Sequence, residues 1–345
     1  MWCKASRARV GEYQDLMKVV VLLGGDSGER DVSLASGVGV AEALRTAGHQ
    51  VVALDPSKGL LTRGEEVAIL ESGVAAIPPA GGEEAAGSAV TIGGNPELAD
   101  ADVVFVALHG GQGEDGTVQA LLEMAGMAYV GSGMLGCALS MDKDVSKRLL
   151  RDAGLPTPDW MVGDPPVAEV VERLGAPVIV KPVSGGSSIG LTLAVDADQV
   201  AHAGAAGRAR GEAMLYEAFI DGRELTVGIL GDEALPVGEI VTTHELFDYE
   251  CKYQPGMASE IFPADLKADV AQQLQELALG VHRVLRLRHF SRIDFMLDAH
   301  GDPWILEANS LPGLTSTSLL PKAARAAGLS FPDFCDRLVQ LARIK

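Results

Sequence analysis

The first third of the chain alternates short apolar runs with amphipathic segments. Lys18 to Leu23 is a continuous apolar run ending at Gly24-Gly25, which predicts a buried parallel strand and its turn. The pattern then predicts a helix over Val32 to Ala47, strands over Gln50 to Leu54 and Asp102 to Leu108, and a helix near Thr117 to Ala125. These elements indicate a first α/β unit with right-handed crossovers over residues 17–131, interrupted by an irregular Gly/Ala/Pro-rich connector from Pro78 to Leu98.

Two further units follow, over residues 132–217 and 218–345. The second has a helical pattern from Asp142 to Ala153 and strand patterns at Val178 to Lys181 and Leu191 to Val195. The third is predicted to contain strands at Glu224 to Leu230, Val237 to Val241, Ser291 to Leu297 and Trp304 to Ala308, a helix over Ala264 to Leu287, and terminal helices from Ser318. Residues 1–16 carry no such pattern and are interpreted as an extension. The fold class is therefore mixed α/β, in three domains.

Composition and charge disfavour two classes of protein, nucleic-acid binders and membrane-spanning proteins. The 345 residues include 28 Lys plus Arg against 47 Asp plus Glu, a net charge of −19, which disfavours a nucleic-acid binder built on a basic surface. No apolar run reaches the ~20 residues of a membrane span. The four cysteines are scattered without a CxxC pair, and no secretory signal opens the chain, so we expect a cytoplasmic protein.

A glycine- and serine-rich segment, PVSGGSSIG, lies between two predicted strands of the second unit. Its GxSxG match would make Ser188 the nucleophile of a serine hydrolase, but that elbow requires a helix after the serine, whereas Leu191 to Val195 alternates like a strand. A strand, a loop of this composition and a second strand can instead wrap an anion with backbone amides and hydroxyls, with Lys181 beside it. A Walker A loop is excluded because the chain has no Gly-Lys dipeptide.

A predicted hairpin in the third unit brings two carboxylates together. If its turn centres on His300-Gly301, paired positions sum to 601, so Asp294 faces Glu307 and Arg292 faces Asn309, all on one face. The opposite face carries Ile293, Phe295, Leu297 and Leu306. Facing carboxylates repel each other unless a cation lies between them, and oxygen ligands of this kind suit Mg²⁺. A phosphate-wrapping loop and a magnesium hairpin together indicate nucleotide-dependent phosphoryl chemistry, with a solvated sheet face of unrelated charges as the alternative.

Beyond Met17, nearly the whole chain resembles the D-alanine:D-alanine ligase family of ATP-grasp enzymes. Seven blocks in the family's order carry the resemblance: LLGGDSGERDVSLASG (22–37), ALHGGQGEDGTVQALLEMAGMAYVGSG (107–133), SMDKDVSK (140–147), VIVKPVSGGSSIG (178–190), FDYECKY (247–253), SRIDFML (291–297) and LEANSLPGLTSTSLLP (306–321). The resemblance implies a three-domain ATP-grasp architecture with an N-terminal Rossmann-like domain. It also implies ATP-dependent ligation of two D-alanines through an acylphosphate, for peptidoglycan precursor synthesis.

The same resemblance assigns site residues. It implies phosphate contacts for Lys143, Lys181 and Lys252, adenosine contacts for Glu217 and Glu224, and two Mg²⁺ ions, replaceable by Mn²⁺, at Asp294, Glu307 and Asn309. For the first D-alanine it implies Glu29 at the ammonium, hydrogen-bonded with Ser187 and Tyr253, and His109 nearby. For the second it implies Ser318 and the Leu319 amide at the carboxylate, with Arg292 and the Gly313 amide at the oxyanion.

Two departures and several alternatives accompany these expectations. Ala218 stands where many relatives have Lys, and Thr317 where several have His. The segments Ser184 to Gly190 and Thr242 to Ala258 are candidate lids. A homodimer is expected from the family, as are small-molecule substrates and neither nucleic-acid nor membrane partners. A D-alanine:D-lactate ligase, another ATP-grasp ligase, the Ser188 hydrolase and a catalytically silent binding module are the alternatives.

Overall fold

The structure, a computed structural model, describes residues 16–74, 92, 95–242 and 256–343. Residues 1–15 of the predicted extension (1–16) lie outside the described residues, as do Lys252, Tyr253 and most of the second candidate lid. Within the described ranges, no helix is both long and apolar enough to cross a membrane.

The N-terminal unit is built on a five-stranded sheet. Its strands, in the order β3-β2-β1-β4-β5, are β1 (Lys18–Leu22), β2 (Gln50–Asp55), β3 (Gly59–Leu60), β4 (Val103–Val106) and β5 (Tyr129–Val130). Its helices are α1 (Arg30–Thr46), α2 (Arg63–Ser72), α3 (Pro96–Ala99) and α4 (Thr117–Met124). The pairs β1–β2, β1–β4 and β4–β5 are parallel, which confirms the predicted α/β unit.

The predicted irregular connector is wrong at its C-terminal end, where α3 lies. The Asn95 side chain accepts a hydrogen bond from the Glu97 backbone N–H, and Pro96 occupies the first turn. An asparagine cap followed by proline is a local helix start, so this short helix needs no apolar periodicity. Most of the remaining connector lies outside the described residues.

A four-stranded antiparallel sheet forms the central unit. Its strands, in the order β6-β9-β7-β8, are β6 (Trp160–Val162), β7 (Val178–Pro182), β8 (Thr192–Ala194) and β9 (Met214–Ala218). The helices of this stretch are α5 (Met134–Met141), α6 (Lys143–Asp152), α7 (Val167–Leu174) and α8 (Ala197–Ala209). Val178 and Val180 of β7 pack against Val170 of α7 and Val200 of α8, so one face of the sheet is buried by helices.

The C-terminal unit contains a six-stranded antiparallel sheet. Its strands are β10 (Gly222–Leu230), β11 (Glu233–Ala234), β12 (Gly238–Thr242), β13 (Ala258–Ile261), β14 (Phe290–Asp298) and β15 (Pro303–Asn309). The main order is β13-β12-β10-β14-β15, with β11 paired to β10. Its helices are α9 (Ala268–Val284), α10 (Leu319–Ala326) and α11 (Phe331–Arg343). The apolar face of the sheet packs on α9 through residues such as Leu225, Phe295 and Leu274.

Helices α6 and α11 connect the units, because each packs into the core of a sheet that belongs to another unit. Leu150 of α6 lies in the core of the six-stranded sheet, with Val227 and Ile305. Leu338 of α11 lies in the core of the five-stranded sheet, with Val21 and Phe105, so the last helix completes the first unit. These packings hold the loops of all three units around one central region.

Candidate active site

A cleft opens between the four-stranded and the six-stranded sheet. Its cavity volume is about 220 Å³. Charged side chains of the predicted ATP and metal sites line it together with apolar side chains; the lining includes Lys143, Lys181, Glu217, Glu224, Asp294, Glu307, Ile179, Met296 and Leu306. The structure therefore gathers two of the three predicted phosphate lysines, Lys143 and Lys181, and the predicted metal carboxylates at one site.

The glycine-rich segment forms the connection of the β7–β8 hairpin at the edge of this cleft. Lys143 Nζ donates a hydrogen bond of 2.7 Å to the Gly185 carbonyl, which anchors the loop to α6. Ser187 and Ser188 adopt positive φ angles of 51° and 57°, a conformation in which backbone strain is tolerated mainly at functional loops. Strand β8 follows Ser188, so the strand–turn–helix geometry of a serine hydrolase is absent from this described loop.

Two lysines share one carboxylate at the back of the cleft. Glu217 Oε1 accepts a hydrogen bond of 2.7 Å from Lys181 Nζ, and Glu217 Oε2 accepts one of 2.6 Å from Lys147 Nζ. All three side chains are buried. Burial opposes ionisation of Glu217, but Lys181 and Lys147 outweigh it and hold the pKa of the carboxyl below its usual value. Burial lowers the pKa of Lys147 to about 8.

The β14–β15 hairpin confirms the predicted pairing of Asp294 with Glu307 and of Arg292 with Asn309. Nearer the turn, however, Phe295 pairs with Ile305, so the residue numbers of a pair add up to 600 there. A β-bulge between Asp294 and Phe295 shifts the pairing by one residue, and beyond it the numbers add up to 601. An inserted residue of this kind re-aims the side chains that follow it.

The bulge makes one sequence expectation wrong. Leu306 was expected on the apolar face of the sheet, but it lines the cleft together with Glu307. Ile305 and Ala308 occupy the hydrophobic core in its place. Strict alternation with period two cannot put both Ile305 and Ala308 on the same face, so the extra residue is required for this arrangement.

Asp294 is held by neighbours on three strands. Arg292 donates two hydrogen bonds to its carboxylate, of 2.9 and 2.8 Å, and Thr226 Oγ1 donates one of 2.7 Å. Asn309 Nδ2 donates another, of 3.0 Å. The predicted oxyanion residue and two of the three predicted metal ligands are therefore in direct contact.

The donor set fits a hard divalent cation. Asp294, Glu307 and Asn309 all offer oxygen atoms, the ligand type that Mg²⁺ prefers, and the Glu307 side chain forms no hydrogen bond or ion pair with any described residue. The site has two carboxylates and one amide, and nowhere in the described chain is a group of three or more His, Cys, Asp or Glu side chains arranged to hold a metal. These residues would hold Mg²⁺ together with substrate phosphates.

The loop that bears Glu29 approaches the glycine-rich loop from the N-terminal unit. A Cβ atom built on Gly186 would lie 3.2 Å from Glu29 Oε1, and one built on Gly110 would lie 3.0 Å from Glu29 Oε2. The Glu29 side chain is buried between these two glycines. The structure thus brings Glu29 next to the loop of Ser187, as expected, while Tyr253 lies outside the described residues.

His109 lies on the same side of the site as Glu29. Its backbone carbonyl accepts a hydrogen bond of 2.6 Å from Ser27 Oγ, and its Nδ1 lies 3.3 Å from Glu114 Oε1. The ring is buried, and its Nε2 has no hydrogen-bond partner among the described residues. A buried polar atom of this kind is the arrangement expected next to a polar ligand.

The predicted site for the second amino acid lies at the start of α10. Ser318 occupies the N-cap position in extended conformation, without a capping hydrogen bond from its side chain, and Leu319 is the first residue of the helix. Ser318 Oγ lies 2.7 Å from Thr315 Oγ1, and a Cβ atom on Gly313 would lie 2.9 Å from Ser318 Oγ. Backbone N–H groups at a helix N-terminus favour a carboxylate, which agrees in type with the expected ligand.

Sequence reasoning missed Lys147 and Leu306. Lys147 lies inside the SMDKDVSK block, four residues after Lys143 and so on the same helical side, but an isolated lysine at this spacing is usually exposed. Of the two departures, Ala218 lines the cleft, and Thr317 is exposed, with its hydroxyl 3.2 Å from Thr315 Oγ1.

The three sheets and the lysine–carboxylate cleft define an ATP-grasp enzyme. Two family profiles match the chain, "D-ala D-ala ligase N-terminus" over residues 18–132 and "D-ala D-ala ligase C-terminus" over residues 149–340. The chain belongs to the D-alanine–D-alanine ligase family.

Relatives over nearly the full length agree. A D-alanine–D-alanine ligase of Cupriavidus taiwanensis is 42% identical over 96% of this chain and 93% of its own, and one of Synechococcus is 39% identical over 94% and 93%. Among solved structures, the Bacillus anthracis D-alanine–D-alanine ligase complexed with ATP has a TM-score of 0.74 and 29% identity over 94% of this chain and 97% of its own. The VanG D-Ala:D-Ser ligase of Enterococcus faecalis has 0.78 and 28%, covering 95% and 100%.

Proposed function

We propose that this enzyme uses ATP to join two D-alanines into D-alanyl-D-alanine, releasing ADP and phosphate, for peptidoglycan precursor synthesis. The observation that carries the proposal is the cleft in which Lys143 and Lys181 face Asp294 and Glu307. Cations on one side and metal-type carboxylates on the other suit a polyphosphate nucleotide. Because ATP is the co-substrate, we place the reaction in the cytoplasm, and we carry over the homodimer from the family resemblance.

The reaction requires two chemical steps. In the first, the carboxylate of one D-alanine attacks the γ-phosphate of ATP to give an acylphosphate and ADP. In the second, the amine of the other D-alanine attacks the acyl carbon, and the tetrahedral intermediate expels phosphate. Bound Mg²⁺ would be held by Asp294, Glu307 and Asn309, and it would neutralise charge on the phosphates.

Protein side chains would supply orientation and charge. Glu29 would hold the ammonium of the first D-alanine, with His109 beside it, and Ser318 with the Leu319 amide would bind the carboxylate of the second. Arg292 and the Gly313 amide would stabilise the oxyanion of the tetrahedral intermediate, where negative charge develops. Lys143, Lys181 and Lys252 would bind phosphates, and Glu217 and Glu224 would contact the adenosine. Glu217 also lies between Lys181 and Lys147.

The loop of Ser184 to Gly190 would close over ATP and exclude water. Exclusion of water protects an acylphosphate from hydrolysis, which is why a lid is expected for this chemistry. Ser187 would join Glu29 and Tyr253 in a hydrogen-bonded group when the loop closes. The loop is exposed at Ser184 and Gly185 but contacts the N-terminal unit near Glu29 at Gly186, so its position suits this role.

The test is the release of ADP and phosphate, followed by separation of the products. We expect D-alanine to stimulate release only when ATP and Mg²⁺ are both present, with L-alanine as the matched inactive substrate. Equal D-alanine and D-lactate should give mainly D-alanyl-D-alanine from pH 7 to 9. A predominant ester at pH 7 would identify a depsipeptide ligase, whereas product formation without ATP would overturn the proposal altogether.

A further inference from the structure

Lys147 is a buried lysine that the sequence did not assign to the ATP site. Its side chain is only 2% exposed, and lysine is almost never this buried unless paired. Its Nζ donates one hydrogen bond of 2.6 Å to Glu217 and one of 2.6 Å to Thr157 Oγ1, and it lies 5.1 Å from the centroid of the Trp160 ring. Protein groups therefore surround this ammonium, and Lys147 is not among the side chains that line the cleft.

Lys181, in contrast, lines the cleft and shares Glu217 with Lys147. Each lysine takes one oxygen of the carboxylate, at 2.7 Å for Lys181 and 2.6 Å for Lys147. Two ammonium groups and one carboxylate leave a net charge of +1 in a buried environment. Such a charge is costly without an anion, and the cleft is where an anion has access to it.

Removal of Lys147 would change how Glu217 is shared and would remove the net positive charge. Both oxygens of Glu217 would then be available to Lys181, and the two would form a neutral buried pair. A lysine held by both oxygens of a buried carboxylate has less positive charge to offer a phosphate. Lys147 would thus limit how strongly Glu217 competes with the nucleotide for Lys181.

Lys147 also connects the two walls of the cleft. Thr157, which accepts its hydrogen bond, donates one of 2.9 Å to the Ile305 carbonyl of β15. Glu217 belongs to β9 of the four-stranded sheet. One ammonium therefore fixes Glu217 relative to the strand that carries Glu307.

We propose that Lys147 is a positioning residue of the ATP site, which acts through Glu217 to keep Lys181 available to the ATP phosphates. The inference rests on the cleft being the ATP site and deepens the proposed function. It assigns Lys147 no direct contact with the nucleotide.

The test compares ATP with adenosine, because Lys181 is assigned to the phosphates and not to the nucleoside. Binding is measured by calorimetry with Mg²⁺ and without D-alanine, on the wild type, on Lys147→Met and on the control Arg148→Met. Arg148 is the next residue of α6, with an exposed side chain that pairs with Asp144. We expect Lys147→Met to bind ATP about tenfold more weakly, the value of one charge-assisted hydrogen bond, with adenosine affinity unchanged.

The double variant Lys147→Met/Glu217→Gln separates an indirect role from a direct one. It is compared with Glu217→Gln alone, because Glu217 also lines the cleft. If Lys147 acts through Glu217, adding Lys147→Met to Glu217→Gln should change ATP affinity by less than about threefold. The double variant removes one ammonium and one carboxylate together, so it keeps the wild-type net charge of +1 at this position if the single variant fails to fold. Equal weakening of ATP and adenosine in Lys147→Met, or a further tenfold loss of ATP affinity when Lys147→Met is added to Glu217→Gln, would overturn the inference.

The two proposals fail separately in these experiments. Nucleotide binding is measured without D-alanine, so an enzyme that joins other substrates would still show the dependence on Lys147. Conversely, normal D-alanyl-D-alanine formation with unchanged ATP affinity in Lys147→Met would remove the role of Lys147 and leave the ligase function in place.

Discussion

Asp294 and Glu307 face each other across β14 and β15 only because a β-bulge adds one residue to β15 between the turn and the pair. Without the bulge, the register near the turn would place Leu306 opposite Asp294. The bulge therefore determines that two carboxylates, and not one carboxylate and a leucine, meet at the cleft. Bulges are frequent beside active sites, where they re-aim a side chain.

Glu307→Gln should lower kcat by about 10² or more, because it removes a charge from the site proposed for Mg²⁺ while keeping the size of the side chain. Steady-state rates across a Mg²⁺ titration, repeated with Mn²⁺, measure the effect. Glu276→Gln, an exposed change on α9, is the matched control and should leave kcat unchanged. Wild-type turnover of Glu307→Gln at saturating Mg²⁺ would contradict the metal assignment.

Leu306 and its neighbour Ile305 should give opposite phenotypes when each is changed to alanine. Leu306→Ala removes an apolar contact from the cleft, so we expect KM for ATP to rise about five- to tenfold with little change in Tm. Ile305→Ala leaves a cavity in the core of the six-stranded sheet and should cost about 2–5 kcal/mol of stability. Thermal unfolding and ATP kinetics on both variants decide this, and exchanged phenotypes would mean that the bulge is misplaced.

The elements with strong local signals could be predicted from the sequence. The apolar run before Gly24, the helix starting after Asp142 and the strands around PVSGGSSIG all appear where the pattern places them. The pairing of Asp294 with Glu307 was predicted correctly, but the prediction applied one register to the whole hairpin. In the structure, the pairs between the turn and the bulge are shifted by one residue. Hairpin registers depend on bulges, and a bulge leaves no clear signal in an alternating pattern.

Contacts between distant parts of the chain could not be predicted from patterns alone. Glu217 and Lys147 are 70 residues apart, and only the packing of α6 against two sheets brings them to 2.6 Å. Local periodicity likewise gives no indication that α11 completes the core of the first unit. Family resemblance named Lys181 and Glu217 for their roles toward ATP, but it did not reveal that the two side chains bind each other.

Acid should destabilise the fold through two buried histidines. Burial lowers the pKa of His282 and of His289 to about 4, from about 6.5 in the unfolded chain. The unfolded state therefore binds more protons between these values, and stability falls as the pH drops from about 6.5 toward 4. His289 Nδ1 accepts a hydrogen bond of 3.1 Å from the Gly131 N–H, a role that an asparagine side chain can keep.

His289→Asn should therefore reduce the loss of Tm between pH 7.5 and pH 5. Thermal unfolding at several pH values in this window measures it. His300→Asn, in the exposed hairpin turn, is the control and should retain the wild-type loss. An equal loss of Tm in His289→Asn and in the wild type would show that other groups cause the acid sensitivity.

Asp55 should control binding of the first D-alanine without touching it. Its fully buried carboxylate accepts hydrogen bonds from the Gly25 N–H (3.2 Å), the Ser57 N–H (2.9 Å) and Arg30 (2.5 Å), and so fixes the loop that carries Glu29. Asp55→Asn keeps the shape but loses the ion pair with Arg30, so we expect a loss of about 1–3 kcal/mol in stability.

The kinetic consequence of Asp55→Asn should be confined to the first amino acid. Arg30 directly follows Glu29, and it also donates a hydrogen bond to the Gly25 carbonyl, so loosening Arg30 displaces Glu29 from the ammonium it is proposed to hold. We expect KM for the first D-alanine to rise about tenfold while KM for ATP stays within about twofold, because the ATP cleft lies between the other two sheets. Initial rates at varied D-alanine and varied ATP separate the two. An equal rise in both KM values would mean that Asp55 supports the whole fold and not the Glu29 loop.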